Sequence, residues 1–260
     1  MGLVGLVVVV VTALTLFGGT TGPVTAAPPS AEPSVALAAA GPAGDGPTSA
    51  PATVANPTPL PSAALTGYRW PLTAGRITTP FGTVTAGTLV VDGKPFHDGI
   101  DIASFCGDHI EAAHDGVVIA TGRHVNEAIG WIGDVAAYDA RLDAKKLWNT
   151  LAITIVVDDG NGYRSEYIHL FKSLVKAGQH VKAGDLIGYE GQTGLATGCH
   201  LHYSIFSPTD PGRVEVEPSL VKKELLPAQE IARIDPFRVL PPMSSTELTW
   251  GFNAQPSGTP

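Results

Sequence analysis

The chain has 260 residues, enough for one large domain or two small ones, and Gly and Pro together make up about one residue in five. With 44% hydrophobic and 15% charged residues, it is too apolar to be wholly disordered and too rich in helix breakers to be a helix bundle. Its formal net charge of −8 argues against a general nucleic-acid binder and against a protein that clings to anionic membranes.

The first 27 residues carry no charged side chain and contain a mostly apolar run from Leu3 to Phe17. That run is short for a membrane span and has the length of the apolar region of a secretory signal peptide. Small residues follow at 24–26, where a signal peptidase would cut. Residues 1–27 are therefore predicted to be a signal peptide, which leaves no stable membrane span in the mature chain. An uncleaved anchor is the alternative.

Composition divides the rest of the chain into three segments. Residues 28–66 are almost entirely Ala, Pro, Ser, Thr, Val and Gly, a mixture that cannot bury a core and predicts an extended linker. Residues 67–240 show short alternating runs between turn signals and are predicted to form the folded domain. Residues 241–260 resemble the linker and are predicted to form a flexible tail.

The folded segment is predicted to be mostly antiparallel β. Short alternating or β-branched runs predict strands at 116–121, 151–157, 163–170 and 201–206. Asp158–Gly162 predicts a hairpin turn, because Asn-Gly accepts positive φ. The tetrapeptide Val-Lys-Ala-Gly occurs at 175–178 and at 181–184, which predicts two short strands folded over one another.

Two stretches interrupt this β pattern. Residues 123–149 have a partial helical period and many good helix formers, and they predict a largely helical insertion between two strands. A second irregular stretch covers about 208–230 and is predicted to contain at most a short helix.

The motif His200-Leu201-His202 carries the first sign of chemistry. On a strand, residues two apart face the same side, so both imidazoles project together. Such a pair suits a metal, or a metal ligand beside a catalytic base. Two partly exposed strand histidines are the alternative.

The motif His97-Asp98-Gly99-Ile100-Asp101 supplies further ligand types. In an extended segment positions 97, 99 and 101 share a face, and Gly99 between them leaves room for an ion. Asp98 is off that face and is predicted to be a solvated turn residue. One carboxylate and two imidazoles suit a hydrolytic zinc with an open position for water. The predicted set is His97, Asp101 and one of His200 and His202.

With these motifs the chain resembles the lysostaphin-type (LytM-like) zinc metallopeptidases, which cleave peptide cross-bridges in bacterial cell walls. The resemblance rests on four stretches in the family's order: His97–Ala103, Tyr167–Leu170, Val181–Gly188 and Thr197–His202. It covers residues 68–206, and residues 234–237 resemble the family's closing segment. It implies a mostly β fold of antiparallel sheet and barrel-sandwich type, a duplicated hybrid motif with lipoyl-like turns.

Carried over position by position, the resemblance assigns zinc (Zn2+) to His97, Asp101 and His202, and catalytic roles to His169 and His200. Either of the last two would accept the proton of the attacking water and later protonate the leaving amine. The resemblance thus implies a secreted, cell-wall-associated zinc endopeptidase that hydrolyses cross-bridges or stem peptides of peptidoglycan. The insertion at 123–149 is longer than the family's usual connection and is a candidate surface for a regulatory partner.

The two cysteines are each attached to one half of this site. Cys106 lies five residues after Asp101, and Cys199 directly precedes His200, so the cysteines are expected to be near in space. In an exported protein this predicts a disulfide. Cysteine as a zinc ligand is the rival interpretation.

Two other functions fit parts of the pattern. Fe(II) oxygenases also use two histidines and a carboxylate, but they usually space the first pair as His-x-Asp. A catalytically silent LytM-like module that regulates a cell-wall amidase typically lacks some of the five site residues, and all five are present here.

The remaining polar and aromatic residues are predicted to have no role in catalysis or metal binding: Glu166 on a solvated strand face, Trp131 and Trp148 in the core, and His109, His114, His124 and His180 on the surface or in turns.

Overall fold

A computed structural model describes residues 64–87, 89–125, 128, 135–218, 231–243 and 248–251. The chain divides into two compact units, residues 1–52 and residues 53–260, and every described residue lies in the second. The predicted signal peptide and nearly all of the predicted linker lie outside the described residues.

The described residues confirm the predicted mostly β class, since they form sixteen strands and a single α-helix. The strands are β1 (Gly75–Thr79), β2 (Gly82–Thr83), β3 (Leu89–Val91), β4 (Lys94–His97), β5 (Ile100–Ala103), β6 (His109–Glu111), β7 (Gly116–Gly122), β8 (Thr154–Asp158), β9 (Arg164–Ile168), β10 (Lys172–Ser173), β11 (His180–Val181), β12 (Leu186–Tyr189), β13 (Leu201–Phe206), β14 (Val214–Pro218), β15 (Ile231–Ile234) and β16 (Leu248–Trp250). The helix α1 spans Val135–Lys145, and short 3-10 helices span Trp148–Thr150 and Pro236–Arg238.

Most described strands belong to one large sheet. Its main path runs β11-β7-β8-β9-β13-β15-β14-β3-β4-β2, while β5 joins β13 to β1 and β1 pairs with β16. A second sheet has the order β10-β12-β6. Among the described strands every pairing is antiparallel except that of β1 with β16.

The predicted hairpin is confirmed. Strands β8 and β9 pair antiparallel with Ile155 opposite Tyr167. The connecting turn contains Gly160 and Gly162, both at positive φ, a conformation that glycine adopts without a steric penalty. This hairpin carries the chain to His169, which directly follows β9.

Strand β13 lies at the centre of the large sheet and is buried on both faces. Leu201, Tyr203 and Ile205 point into the main apolar core, and His202 points to the opposite face. In the pairing register, His202 stands directly across from Asp101 on β5. Since facing residues of an antiparallel pair have Cβ atoms about 4.5–5.5 Å apart, the sheet itself brings these two side chains together.

The repeated Val-Lys-Ala-Gly tetrapeptide forms two equivalent turns. The prediction of two strands folded over one another is wrong, because the turns lead into different sheets. In the first turn Gln179 N–H donates to Lys176 O, and in the second Asp185 N–H donates to Lys182 O. The repeat therefore encodes a turn with a buried valine before it.

The helical insertion is present, with α1 at its centre and Tyr138 and Leu142 as its buried side chains among residues 136–145. Residues 126–127 and 129–134 of the insertion lie outside the described residues.

The irregular stretch predicted at 208–230 contains β14, and the predicted tail contributes β16, whose Leu248 packs in the core. Within the described ranges no helix is long and apolar enough to cross a membrane.

The carboxyl group of Asp159 is buried at the start of the β8–β9 turn, where Tyr68 OH and Ser165 Oγ donate to its Oδ2 at 2.7 and 2.9 Å. Burial raises its pKa to about 8 and outweighs the lowering effect of these two hydrogen bonds. In the native state the Asp159 carboxyl therefore keeps a proton that it releases at about pH 3.9 in the unfolded chain. The stability that this group contributes is full below about pH 4 and is lost as the pH rises towards 8.

We therefore predict that Asp159→Asn removes part of the pH dependence of folding. The difference in the free energy of unfolding, variant minus wild type, should increase by at least about 1.4 kcal/mol from pH 5 to pH 8. That is the equivalent of one pKa unit. Urea unfolding at several pH values measures this difference. The matched control is Asp158→Asn at the neighbouring, partly exposed carboxyl. Equal gains in the two variants would contradict the assignment to Asp159.

Candidate metal centre

Three side-chain atoms from three strands converge on one point of the large sheet. His97 Nε2, Asp101 Oδ1 and His202 Nδ1 lie 3.0 Å from one another in all three pairings. His97 ends β4, Asp101 lies in β5, and His202 lies in β13. These are the residues that the resemblance assigns to zinc, and the structure brings them together.

Each histidine of this triangle is oriented by a hydrogen-bond acceptor on its far side. His97 Nδ1 lies 3.0 Å from Pro80 O, and because a carbonyl only accepts, Nδ1 carries the proton. His202 Nε2 lies 3.3 Å from Asp98 Oδ1, which likewise favours the proton on Nε2. In the neutral tautomers, His97 Nε2 and His202 Nδ1 therefore present bare lone pairs to each other and to a carboxylate oxygen.

This donor set fits a divalent cation. Three lone pairs at 3.0 Å repel one another unless a positive charge stands beside all three. A tetrahedral zinc with ligand distances of about 2.0–2.2 Å would separate its ligand atoms by roughly 3.4 Å, close to the spacing observed. Two imidazoles and one carboxylate are the ligands of hydrolytic zinc sites that keep one position open.

The charges around these groups impose the same demand for positive charge. Burial lowers the pKa of His202, but its interactions with Asp101 and Asp98 outweigh burial and raise that pKa to about 10. Burial raises the pKa of Asp101, yet contacts with His202 and His97 hold it well below the usual range. Without a metal a proton meets this demand, and a divalent cation bound here would displace it.

Two further histidines stand beside the triangle. The ring centroids of His169 and His200 are 4.7 Å apart, and His200 Nε2 lies 3.6 Å from Asp101 Oδ1. His169 Nδ1 donates to Thr193 O at 2.7 Å, and His200 Nδ1 donates to Gly198 O at 3.0 Å. Both rings are thus held by loop carbonyls, and each keeps a bare Nε2 in its neutral form.

His169 is held in its neutral form. Burial lowers its pKa to about 4, so its ring is neutral at pH 7. Its backbone has φ of 71°, a left-handed conformation that non-glycine residues rarely adopt and that clusters at functional sites. The hydroxyl of Thr193 donates to Leu170 O and accepts from Ile153 N–H, which fixes the loop that orients His169.

The prediction that Asp98 is a solvated turn residue is wrong. Its side chain is buried between His202 and Arg233, and Arg233 Nε donates to Asp98 Oδ2 at 2.9 Å. Strand alternation does not hold here because the extended chain breaks at Asp98 and Gly99, between β4 and β5. Past such a break the side chain does not follow the strand alternation that placed it in solvent.

Glu166 is also not on a solvated face. It is 0% exposed, and its Oε2 accepts from Arg233 Nη2 at 3.1 Å and from Ser204 Oγ at 3.2 Å. Glu166 is buried because β9 pairs with the fully buried β13, so both faces of β9 are covered, and no local sequence pattern reveals this pairing. No sequence motif marks Arg233 as part of this network.

Gly99 has a different role from the one predicted. A Cβ atom at this position would come within 2.7 Å of His202 Nε2 and would collide with Tyr203 O. Glycine therefore allows the His97–Asp101 segment to approach β13 closely, rather than leaving room for an ion.

The four remaining histidines lie away from the triangle, and His109, His124 and His180 are exposed as predicted. His124 stacks on Trp148 with ring centroids 3.4 Å apart. Trp148 is half-buried in this stack and is not part of the main apolar core, contrary to the prediction. Trp131 lies outside the described residues.

A disulfide joins Cys106 and Cys199, with Cα atoms 5.3 Å apart, as the sequence predicts. It ties the loop after β5 to the residue that precedes His200, so it connects the two halves of the site. Neither cysteine among the described residues is free to act as a metal ligand.

Replacing both cysteines, in Cys106→Ser/Cys199→Ser, is expected to reduce the free energy of unfolding by roughly 4–5 kcal/mol, because the bond closes a long loop in the unfolded chain. Denaturant unfolding measures the loss, and reduction of the wild type should reproduce it. A double variant as stable as the oxidised wild type would contradict a stabilising role.

Comparisons with known proteins find similar sequences. Residues 95–214 match the sequence model of peptidase family M23. The chain is similar to the peptidoglycan DD-endopeptidase ShyA of Vibrio cholerae, with 33% identity over 142 residues, 53% of this chain and 27% of that protein. It is similar to the DD-carboxypeptidase/endopeptidase Mpg of Neisseria meningitidis serogroup B, with 28% identity over 165 residues, 64% of this chain and 30% of that protein. It thus spans less than a third of these curated relatives.

Solved structures of similar proteins overlap it in part. A zinc-containing peptidase from Vibrio cholerae is 26% identical with a TM-score of 0.41, over 56% of this chain and 38% of that one. The catalytic domain of the antimicrobial peptidase lysostaphin from Staphylococcus simulans is 25% identical with a TM-score of 0.36, over 51% of this chain and 80% of that one.

Proposed function

We propose, because residues 95–214 of this chain match the sequence model of peptidase family M23, that the protein is a zinc-dependent endopeptidase acting on the peptides of bacterial peptidoglycan. The resemblance predicted from the sequence motifs is confirmed at the level of the family. The zinc, the substrate and the roles of individual residues belong to the proposal.

One observation carries the proposal. Three lone-pair atoms, His97 Nε2, Asp101 Oδ1 and His202 Nδ1, stand 3.0 Å apart, and the far nitrogen of each imidazole faces its own acceptor. A group of this kind is stable only around a positive charge. We therefore assign the metal to these three residues.

The neighbouring histidines supply the proton transfers that amide hydrolysis needs. Zinc, when bound, acts as a Lewis acid on the scissile carbonyl and makes water more acidic. His169, neutral at pH 7 with Nε2 bare, accepts the proton of the attacking water at Nε2 and later gives it to the leaving amine. His200, fixed by Gly198 O and lying beside His169, stabilises the charge that develops on the scissile oxygen when its Nε2 also carries a proton, that is, as an imidazolium.

The proposed location is outside the cytoplasm. Peptidoglycan is extracytoplasmic, and a disulfide such as Cys106–Cys199 persists in oxidising compartments. The predicted signal peptide at 1–27 supports the same location. The partner surface predicted at the 123–149 insertion stays a prediction.

Digestion of purified peptidoglycan tests the proposal. The purified chain is incubated with sacculi with and without a zinc chelator, and released fragments are identified by mass spectrometry. We expect new amino termini that disappear with chelator and return when zinc is added. A zinc-loaded protein that releases no new amino termini would contradict the enzyme and would favour a silent module that regulates another hydrolase.

A further inference from the structure

The carboxylate of Asp98 joins the metal triangle to a buried charge network. Its Oδ1 lies 3.3 Å from His202 Nε2, and its Oδ2 accepts from Arg233 Nε at 2.9 Å. Both oxygens are therefore committed to different partners. Asp98 is 8% exposed, so water does not compete for either contact.

Arg233 holds this carboxylate in one orientation. It lies on β15 beside β13 and is 1% exposed. Besides its contact with Asp98, its Nη2 donates to Glu166 Oε2 at 3.1 Å, and Ser204 Oγ donates to the same oxygen at 3.2 Å. The guanidinium has no acceptor atom and cannot turn away without leaving a buried carboxylate unpaired.

We propose that Asp98 is a positioning residue that prepares His202 to bind the metal, with Arg233 fixing Asp98 in place. By accepting from Nε2–H, Asp98 selects the tautomer whose Nδ1 lone pair faces His97 and Asp101. The inference rests on the proposed zinc-dependent function and adds to it a residue outside the three ligands.

An asparagine at position 98 separates this role from simple packing. Asparagine has nearly the same shape as aspartate but offers one acceptor oxygen and one NH2 donor. Since Arg233 is only a donor, the amide oxygen turns to Arg233 and the NH2 turns to His202 Nε2. That arrangement favours the proton on His202 Nδ1, the atom that must bind the metal.

The experiment measures zinc affinity of the purified chain by competition with a chromophoric chelator. Asp98→Asn is expected to bind zinc about 10–100-fold more weakly than the wild type, the usual effect of removing an outer partner of a ligand. Thermal unfolding of the zinc-free proteins shows whether the variant is folded.

The matched control is Asp210→Asn. Asp210 is also a fully buried carboxylate, and it accepts from Tyr163 OH at 2.5 Å and from Arg238 Nη1 at 3.4 Å, but it contacts none of the site histidines. Its replacement should lower stability and leave zinc affinity unchanged. Equal losses of affinity in Asp98→Asn and Asp210→Asn would assign the effect to general destabilisation and overturn the inference.

A second variant covers the case in which Asp98→Asn does not fold. Arg233→Lys keeps a positive charge beside Glu166 but replaces the guanidinium that fixes Asp98, and it should weaken zinc binding by a smaller factor. Zinc affinities within threefold of the wild type in the folded variants overturn the inference while leaving the proposed function intact. A wild type that binds no zinc overturns both.

Discussion

Replacing His202 with alanine is expected to abolish zinc binding and peptidase activity together. His202 supplies one corner of the triangle, and its neighbours His97 and Asp101 would be left with two donors, too few to hold a hydrolytic zinc. The loss of activity should exceed the 10²–10⁴-fold typical of losing a single general acid–base group. Metal content after gel filtration and the rate of fragment release measure the two effects.

The control for this variant is His180→Ala. His180 lies on β11, is exposed, and is far from the triangle in the pairing order of the sheet. It should keep the zinc content and the rate of the wild type. A His202→Ala protein that is folded and still binds one zinc would contradict the assignment of the ligands.

Replacing His169 is expected to separate binding from catalysis. In His169→Asn the zinc content should stay at the wild-type level, because His169 is not part of the triangle. The value of kcat should fall by about 10²–10⁴-fold, since the base that accepts the water's proton is lost. Asparagine is chosen because it tolerates the left-handed backbone at this position, where φ is 71°.

His200→Asn is the companion to this variant. If His200 stabilises developing charge, its loss should lower kcat while the acid limb of the pH profile stays where the wild type has it. If His169→Asn retained the wild-type kcat while His200→Asn lost it, the roles assigned to the two histidines would be reversed.

The sequence motifs were sufficient to single out His97, Asp101 and His202, which the structure brings together, although strand periodicity accounts for the direction of the His-x-His pair alone. His200 directly precedes the central strand β13 and His202 lies in it, so both rings reach one face, and His202 meets Asp101 through the pairing of β13 with β5. The choice between His200 and His202 as ligand came from the resemblance. In the structure His202 Nδ1 completes the triangle.

The residues that support the site could not be predicted from local patterns. Asp98 lies where the strand alternation breaks, and Glu166 and Arg233 become buried only because β9, β13 and β15 lie side by side. Such neighbours are separated by 67 and 135 positions in the chain, and no local period reveals them.

Strand β16 could not be predicted from the sequence for the same reason, since its position depends on tertiary pairing. Residues 241–260 have the composition of the linker, yet Leu248–Trp250 pairs in parallel with β1 and Leu248 fills part of the core. Three residues are too few to show a period. Their place is decided by the exposed edge of β1, a tertiary feature.

X-ray diffraction from crystals of the zinc-loaded protein, recorded on both sides of the zinc absorption edge, tests the central claim most directly. We expect one anomalous peak at about 2.0–2.2 Å from His97 Nε2, Asp101 Oδ1 and His202 Nδ1. A zinc peak held by other side chains, or the absence of a peak beside these three atoms, would contradict the metal centre described here.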